Sequence, residues 1–362
     1  MPQQIKTKKH RTNKEALYYN WDWILSKNRL FSWAMGLRGG GKTYGLTKLA
    51  ISKFLEKGQK TIWLRRYGSE IDDMFLKSFF SDMTEHEEFP NFDFTTKTYR
   101  ISGLGEGLVR EKGSEEWTPF ITFVPLNTAM KHKSNPFPDV YYIMCDEWLI
   151  DPNISNLSYI KGWNEPIIFF EFIEGIIRTR KEPKVLFASN AISAVNPYFS
   201  YWGMKVDAEN EWTMNKFVVV HNYKNPNLKE KKLETAWGQF LDNTSYGAYN
   251  MDNEYFVGSD EFVCKKPSGS RWYCNITLYG TPYGIWVSDN EGIIWIGDSN
   301  PTSEKLVCFA TEDMKPNYIQ ISKNHELVKF LKNEWSIGKT WFDNQETKQK
   351  YLELIGLLST AK

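Results

Sequence analysis

A glycine-rich loop near the amino terminus carries the most specific chemical pattern in the sequence. Glycines in such a loop let successive backbone N–H groups surround phosphate oxygens. Lys42 can then reach the β- and γ-phosphates, the Thr43 hydroxyl can ligate Mg²⁺, and Arg38 adds positive charge. We therefore predict that the loop binds ATP with Mg²⁺; the alternative is an ordinary glycine-rich turn. The loop contains every fixed position of the pattern G-x-x-x-x-G-K-[ST]. Its residues are Gly36, Leu37, Arg38, Gly39, Gly40, Gly41, Lys42 and Thr43.

The acidic pair Asp146-Glu147 directly follows an apolar run at residues 140–145. A carboxylate at the end of a buried strand beside a phosphate-binding loop can hold Mg²⁺, and a neighbouring one can deprotonate the attacking water. We predict that Asp146 is the metal residue and Glu147 the catalytic base. Because acidic pairs also often begin loops, this prediction depends on the glycine loop upstream.

A second polar pair, Ser189-Asn190, follows the apolar run at residues 184–188. A polar side chain at this strand end can contact the water or the γ-phosphate and report hydrolysis to the rest of the fold. Serine and asparagine also favour plain turns. Spacing alone leaves both interpretations open.

Basic residues lie at two places from which a neighbouring subunit could be reached. Arg178 and Arg180 end a predicted helix, and Lys131 and Lys133 precede the strand that carries Asp146. In a ring of subunits, an arginine from a neighbour can stabilise the transition-state charge of phosphoryl transfer. The helix dipole alone also favours arginine at a helix C-terminus, so the spacing does not separate the two roles.

Further charged residues have open roles. Arg65-Arg66-Tyr67 follows a predicted strand and can face nucleic acid, face the nucleotide, or simply end the strand in solvent. A metal-dependent nuclease would need carboxylates such as Asp260, Asp289 and Asp298 to converge. Asp289 falls in a predicted hairpin turn, which favours a structural role.

Elements of α/β type must position these residues. Alternating strands and helices predict a parallel sheet covered on both faces, with the ligand at the carboxyl ends of the strands. A glycine at position 58 should end the first of these helices. The predicted strands are residues 31–35, 60–65, 140–145 and 184–188, and the predicted helices are residues 43–56 and 165–180.

The sequence changes character after about residue 206. A charged, proline-interrupted stretch at residues 224–232 is followed by a predicted hairpin, with strands at residues 283–288 and 293–297, and by a helical end at residues 325–358. We predict an ATPase domain at residues 1–206, a linker region at residues 207–251 and a smaller α+β domain at residues 252–362.

Composition limits the class of protein. The 362 residues include 45 lysines and arginines against 44 aspartates and glutamates, so a nucleic-acid partner must be met by local basic patches. Four cysteines without metal-ligand spacing favour a reducing cytosol. The basic start, with Lys6, Lys8, Lys9, Arg11 and Lys14, lacks an apolar segment, so we expect a soluble intracellular protein without a membrane span. This start is a solvated tail or an electrostatic contact to phosphates.

Several segments together resemble one family, the genome-packaging motor ATPases (short terminase-like) of phi29-type small tailed bacteriophages. The likeness spans most of the chain, and its narrowest part is Ser-Asn-Ala followed by Asn-Pro-Tyr-Phe. Departures are the longer basic start and the stretch around residues 103–117. The segments are the glycine loop, Trp-Leu-Arg-Arg-Tyr at residues 63–67, Ile-Met-Cys-Asp-Glu at residues 143–147, residues 188–199, residues 284–289 and residues 293–297.

The resemblance implies a P-loop NTPase of the additional-strand (ASCE) class and a C-terminal domain with a degenerate RNase H-like nuclease fold that contacts nucleic acid or the portal. It implies an ATP-driven translocase that packages double-stranded DNA into a procapsid as a ring-shaped homo-oligomer, a pentamer in the family. Such a ring works in the host cytoplasm, transiently docked on the portal (connector) protein at the procapsid vertex, in some members through a packaging RNA.

The resemblance also assigns roles to residues. Lys42, Thr43, Asp146 and Glu147 take the roles given above. Arg178 is similar in position to a trans-acting arginine of the family, with Arg180 beside it. Lys133 falls in a segment like one with a subunit-interface lysine, and Asn190 lies in the coupling motif. Two other functions stay open: a packaging motor with an active C-terminal nuclease, and a nucleotide-dependent nucleic-acid-binding scaffold that does not hydrolyse ATP.

Overall fold

The chain folds into two compact units. The first contains residues 1–157, 167–194 and 206–256, and the second contains residues 158–166, 195–205 and 257–362. The computed structural model describes residues 18–99, 104–132, 137–150, 158–178, 183–193, 195–206, 210–242, 244, 247, 261–298 and 306–360.

A nine-stranded sheet forms the centre of the first unit in the described part of the chain, in the order β3-β4-β5-β2-β6-β7-β1-β9-β8. The strands from β5 to β9 in this order are parallel to their neighbours, and the two edges are antiparallel. The strands are β1 (Phe31–Gly36), β2 (Lys60–Arg65), β3 (Phe92–Tyr99), β4 (Leu104–Glu111), β5 (Thr118–Pro125), β6 (Val140–Asp146), β7 (Lys184–Asn190), β8 (Trp212–Met214) and β9 (Val218–Tyr223).

The four strands predicted for the first unit are confirmed as β1, β2, β6 and β7, and their side chains are apolar on both faces of the sheet. Trp33, Trp63, Met144 and Leu186 are fully buried, as central parallel strands require. Gly58 at φ +66° ends α2 as predicted. The helices up to residue 242 are α1 (Trp21–Leu25), α2 (Lys42–Lys57), α3 (Asp73–Ser78), α4 (Ser81–Glu85), α5 (Leu126–Ala129), α6 (Glu165–Ile177), α7 (Pro197–Tyr201), α8 (Pro226–Leu233) and α9 (Ala236–Asp242), of which α7 belongs to the second unit.

The linker predicted at residues 207–251 differs from the structure. Strand β9 lies within it and pairs in parallel with β1, with Ala34 opposite His221. The reason is the run of three valines from Val218 to Val220, which is buried and completes the core beside β1. The charged stretch at residues 224–232 largely forms α8 rather than an extended connection.

A six-stranded sheet in the order β14-β13-β10-β11-β12-β15 forms the second unit, counted over described residues. The predicted hairpin is confirmed as β11 and β12. The predicted helical end is interrupted by β15, because Gly338 at φ +73° follows the first helix and β15 then joins the sheet beside β12. The elements are β10 (Arg271–Leu278), β11 (Thr281–Ser288), β12 (Ile293–Asp298), β13 (Leu306–Cys308), β14 (Tyr318–Gln320), α10 (Glu326–Ser336), β15 (Thr340–Phe342) and α11 (Gln345–Thr360).

Two sequence expectations concern the whole chain. All four cysteines are free thiols, and Cys145 is buried as expected. Among the helices in the described ranges, none combines the length and the apolar character that crossing a lipid bilayer would need.

Candidate nucleotide-binding and catalytic site

The glycine loop connects the carboxyl end of β1 to the start of α2. Gly39 and Gly41 adopt left-handed conformations, at φ +72° and +77°. A Cβ at Gly41 would come within 2.8 Å of the Tyr18 Cβ, so both the backbone angle and the close approach require glycine there. No side chain caps the N-terminus of α2, which leaves its first N–H groups directed toward an anion.

The Lys42 side chain folds back onto the glycine loop. Its Nζ donates to the carbonyl oxygens of Gly36 at 3.0 Å and Leu37 at 2.7 Å. Burial lowers the pKa of Lys42 to about 7; Asp146 opposes this shift, while Lys232 and Arg38 add to it by repulsion. Bound phosphates would add negative charge beside this ammonium and favour its charged form.

Thr43 and Asp146 meet at the base of the same site. The Thr43 Oγ1 donates to Asp146 Oδ1 at 2.8 Å. Burial raises the pKa of Asp146, and Arg65 acts against that rise. A hydroxyl beside a buried carboxylate suits Mg²⁺, which takes few protein ligands and completes its shell with phosphates and water. Within the described ranges there is no cluster of three or more His, Cys, Asp or Glu residues suited to a metal.

Arg65, at the end of β2, bridges both members of the acidic pair. One guanidinium nitrogen donates to Asp146 Oδ2 and the other to Glu147 Oε2, each at 2.7 Å. Glu147 has φ +52°, and its side chain is 67% exposed, whereas that of Asp146 is 1% exposed. Arg66 is instead buried, and its Nη2 donates to the Trp148 carbonyl at 2.6 Å. Arg65 therefore faces the acidic pair and Arg66 packs inside, so neither arginine is simply a solvated strand end.

A cleft of about 790 Å³ brings together the glycine loop, the acidic pair and the Ser189-Asn190 pair. Asn190 and Ser189 lie on its wall, and Ser189 Oγ accepts a hydrogen bond from the Trp33 indole at 3.1 Å. The pair is therefore part of the site and not a distant turn. The lining residues are Tyr18, Arg38, Gly39, Gly40, Gly41, Lys42, Thr43, Tyr44, Asp82, His86, Glu88, Asp146, Glu147, Ala188, Ser189 and Asn190.

Some contributors to the cleft were missed by sequence reasoning. The Lys232 ammonium donates to the Arg38 carbonyl at 2.8 Å and so ties α8 to the glycine loop. Glu88 accepts hydrogen bonds from Tyr44 and Lys48, both on α2. The basic stretch at residues 224–232 was the available signal for Lys232, but only the placement of α8 shows which of its lysines faces the loop.

The two basic candidates within the described residues, Arg178 and Lys131, do not line the cleft. Arg178 is exposed, adopts φ +40° directly after α6, and does not line the cleft. Lys131 is exposed as well. Lys133 and Arg180 lie outside the described residues.

The carboxylates considered for a nuclease do not converge where they are described. Asp289 forms a bidentate ion pair with Arg271, with N–O distances of 2.8 to 3.1 Å. Asp298 lies opposite Tyr283 in the sheet, and Tyr283 is six residues before Asp289 on the other strand. At the rise of a strand, the two aspartates are therefore about 20 Å apart along the hairpin. Asp260 lies outside the described residues.

A family comparison adds to this geometry. The sequence model of the Podovirus DNA encapsidation protein (Gp16) family matches residues 13–357. The chain belongs to this family. Related family proteins include the DNA packaging protein of Bacillus phage B103, 29% identical over 328 residues that cover 89% of this chain and 95% of the relative. The DNA packaging protein of Bacillus phage phi29 is 27% identical over 346 residues, covering 94% and 98%.

Solved structures agree with the family assignment. The bacteriophage Phi-29 viral genome packaging motor assembly contains a chain that matches with a TM-score of 0.70 at 26% identity, covering 95% of this chain and 100% of that chain. The Phi-28 gp11 DNA packaging motor matches with a TM-score of 0.65 at 18% identity over 95% and 99%, which shows a shared fold. The family resemblance predicted from the short motifs is confirmed.

Proposed function

We propose that this protein is an ATP-hydrolysing motor that moves double-stranded DNA into a procapsid. The observation that carries the proposal is the convergence of Lys42, Thr43, Asp146 and Glu147 on one cleft in a chain of the DNA encapsidation family. Strand β7 lies between β1 and β6, in line with the additional-strand class of P-loop NTPases. Hydrolysis then supplies the work of DNA movement.

Each residue of the cleft has a distinct task in this proposal. The N–H groups of the glycine loop bind the phosphates, and Lys42 leaves its loop carbonyls to pair with the β- and γ-phosphates. Thr43 and Asp146 would hold Mg²⁺, which would neutralise phosphate charge. Glu147 orients the attacking water and takes its proton as the water oxygen bonds to the γ-phosphorus, and the bond to the bridging oxygen breaks so that ADP leaves.

Release of Glu147 from Arg65 is part of the same cycle. Arg65 holds Glu147 Oε2 at 2.7 Å, so this oxygen must exchange the guanidinium for the attacking water before it can take a proton. Glu147 is largely exposed, so it can exchange this partner at low energetic cost. Asn190 on the cleft wall then reports the state of the γ-phosphate to the chain that follows β7.

A neighbouring subunit is expected to contribute basic residues to the reaction. The exposed Arg178 is the candidate that stabilises the transition state in the adjacent subunit of a ring, with Lys133 and Arg180 as further trans-acting candidates. The ring is a pentamer by family resemblance. It docks on the portal protein at the procapsid vertex in the host cytoplasm, with a packaging RNA as a further partner.

The second unit is proposed as a nuclease-derived contact domain without cutting activity. Antiparallel β12, β11 and β10, followed by β13 and β14 parallel to β10, support an RNase H-like fold. The middle of the central strand β10 carries Asn275, which accepts a hydrogen bond from the Trp272 indole at 3.0 Å. No carboxylate lies on β10.

Two assays separate this proposal from its alternatives. Phosphate release from ATP should rise on addition of double-stranded DNA. If no phosphate is released, the alternative of a non-hydrolysing scaffold is favoured instead. Plasmid incubated with the protein and Mn²⁺ or Mg²⁺ should stay uncut, and cutting would instead favour an active nuclease.

Mixing Glu147→Gln with Arg178→Ala subunits should restore part of the activity that each variant lacks, because an intact neighbour then supplies the missing residue. If no activity is restored, Arg178 does not act across the subunit boundary.

A further inference from the structure

Two short segments that follow the cleft belong to the second unit. Ser158 stands eleven positions after Glu147, and Val195 stands five positions after Asn190. Residues 158–166 and 195–205 fold with residues 257–362. The chain that leaves each of these two cleft residues is therefore soon built into the C-terminal part of the molecule.

Glu165 joins the two segments to each other. It is fully buried, accepts a hydrogen bond from the Tyr198 hydroxyl at 2.9 Å, and accepts another from the Ile160 N–H at 2.7 Å. Tyr198 is fully buried on α7. A carboxylate so deeply buried is costly to leave without its donors, so the two segments are expected to move together.

Gly162 joins the first segment to the hairpin between β10 and β11. Tyr279, at φ +50°, and Gly280, at φ +79°, form the turn of that hairpin. A Cβ on Gly162 would lie 2.4 Å from the Tyr279 ring, which is too close for any side chain without a shift. Gly162 itself is left-handed, at φ +61°, after Lys161 at φ +52°. Two such residues in succession mark backbone held in place by its surroundings.

Trp163 joins the same segment to α11. The Lys350 ammonium lies 5.2 Å from the centre of the Trp163 ring and is only 7% exposed as a residue. It is fixed by Glu346 at 2.7 Å and by the Tyr283 hydroxyl at 3.2 Å. Burial disfavours this charge, but Glu346 and Tyr283 outweigh it and raise the pKa of Lys350. The ammonium therefore stays charged beneath the ring, where a cation is favoured.

We infer that Gly162, Trp163 and Glu165 are positioning residues that transmit the state of the nucleotide cleft to the C-terminal unit. A change at Asn190 reaches residues 195–205, which Glu165 joins to a segment whose partners are the β10–β11 turn and α11. Disturbing those partners should uncouple DNA movement from hydrolysis and leave the chemistry intact. This inference rests on the proposed ATP-driven motor.

Gly162→Ala is the sharpest variant, and Gly269→Ala is its matched control. Both glycines lie in the second unit with left-handed φ, +61° and +75°, but a Cβ on Gly269 meets nothing within 4 Å. Both substitutions carry similar backbone strain, and only the first pushes on Tyr279. In the full-length protein assembled on procapsids, Gly162→Ala should keep ATP turnover within about twofold of the control. The DNA packaged per ATP should fall at least about fivefold, the low end of coupling between sites.

A second readout needs no packaging. Hydrogen exchange of the turn between β10 and β11 should change when a slowly hydrolysed ATP analogue with Mg²⁺ is added to wild type or Gly269→Ala, and should not change in Gly162→Ala. If Gly162→Ala folds poorly, Lys350→Met takes its place. It should lose the exchange response to nucleotide, while the control Lys329→Met, at an exposed lysine, should keep it.

Equal DNA packaged per ATP in Gly162→Ala and Gly269→Ala would overturn the inference. So would ATP turnover and packaging that fall in proportion, or a wild-type turn that ignores bound nucleotide. A wild-type protein that binds DNA but releases no phosphate would contradict the proposed motor itself. The exchange measurement needs only bound nucleotide, so its result is distinguishable from that failure.

Discussion

Arg65 and Glu147 are joined by a 2.7 Å ion pair, and the same guanidinium holds Asp146 at an equal distance. The two carboxylates differ in burial, since the Asp146 side chain is 1% exposed and that of Glu147 is 67% exposed. One arginine therefore makes a structural contact and an exchangeable one. This division separates the part of the site that must stay fixed from the part that must move.

The burial difference predicts unequal stability effects. Arg65→Met leaves Asp146 as a buried charge without its partner and should lower the free energy of unfolding by about 3 to 5 kcal/mol. Glu147→Gln breaks only the exposed half of the bridge and should lower it by less than about 1 kcal/mol. Urea unfolding of the nucleotide-free protein measures both. Similar losses in the two variants would show that the Asp146 contact carries no special weight.

The lowered pKa of Lys42 predicts proton uptake on nucleotide binding. Its folded pKa of about 7 lies below the ordinary 10.5, so between these values the unfolded chain binds more protons and stability from this group rises with pH. Bound phosphates should restore the charge of Lys42. Nucleotide binding should therefore take up nearly one proton at about pH 9 and little below about pH 6. Calorimetry of ATP binding in buffers of different ionisation enthalpy measures the uptake.

Lys42→Met is the control for that measurement. It should bind ATP weakly and without proton uptake at the higher pH. Uptake that persists in this variant would assign the proton to another group of the cleft.

Lys232 predicts an effect of α8 on nucleotide affinity. Removing its hydrogen bond to the Arg38 carbonyl in Lys232→Met should loosen the glycine loop and weaken ATP binding about tenfold, as expected for one charged hydrogen bond. The neighbouring Lys231 is exposed, so Lys231→Met should leave the affinity within about twofold. Titration with a fluorescent ATP analogue compares the two, and equal affinities would contradict the role given to Lys232.

Local signals explain how much of the site could be predicted from the sequence. The glycine loop, the acidic pair and Asn190 each lie at the end of a strongly apolar strand, and a parallel sheet brings such ends to one edge. The role of Arg65 could not be predicted, because it depends on β2 lying beside β6. That neighbour relationship is set by strand order and not by spacing along the chain.

The same physics explains the errors in the fold. Strand β9 contains only three valines before polar residues follow, and it pairs with β1, which precedes it by almost two hundred residues. Strand β15 has only three residues, so its pattern is hidden between two helical ones. Both elements are fixed by long-range pairing, for which local propensity is a weak guide.

The central claim is that Glu147 in the loop-bearing cleft drives ATP hydrolysis for DNA movement, and DNA-stimulated phosphate release by Glu147→Gln tests it most directly. Turnover should fall by about a hundredfold or more, the range for loss of a general base, while ATP affinity stays within about twofold. Glu88→Gln, a glutamate of the same cleft that is bonded to Tyr44, should keep turnover within about threefold. Unchanged phosphate release by Glu147→Gln would contradict the account.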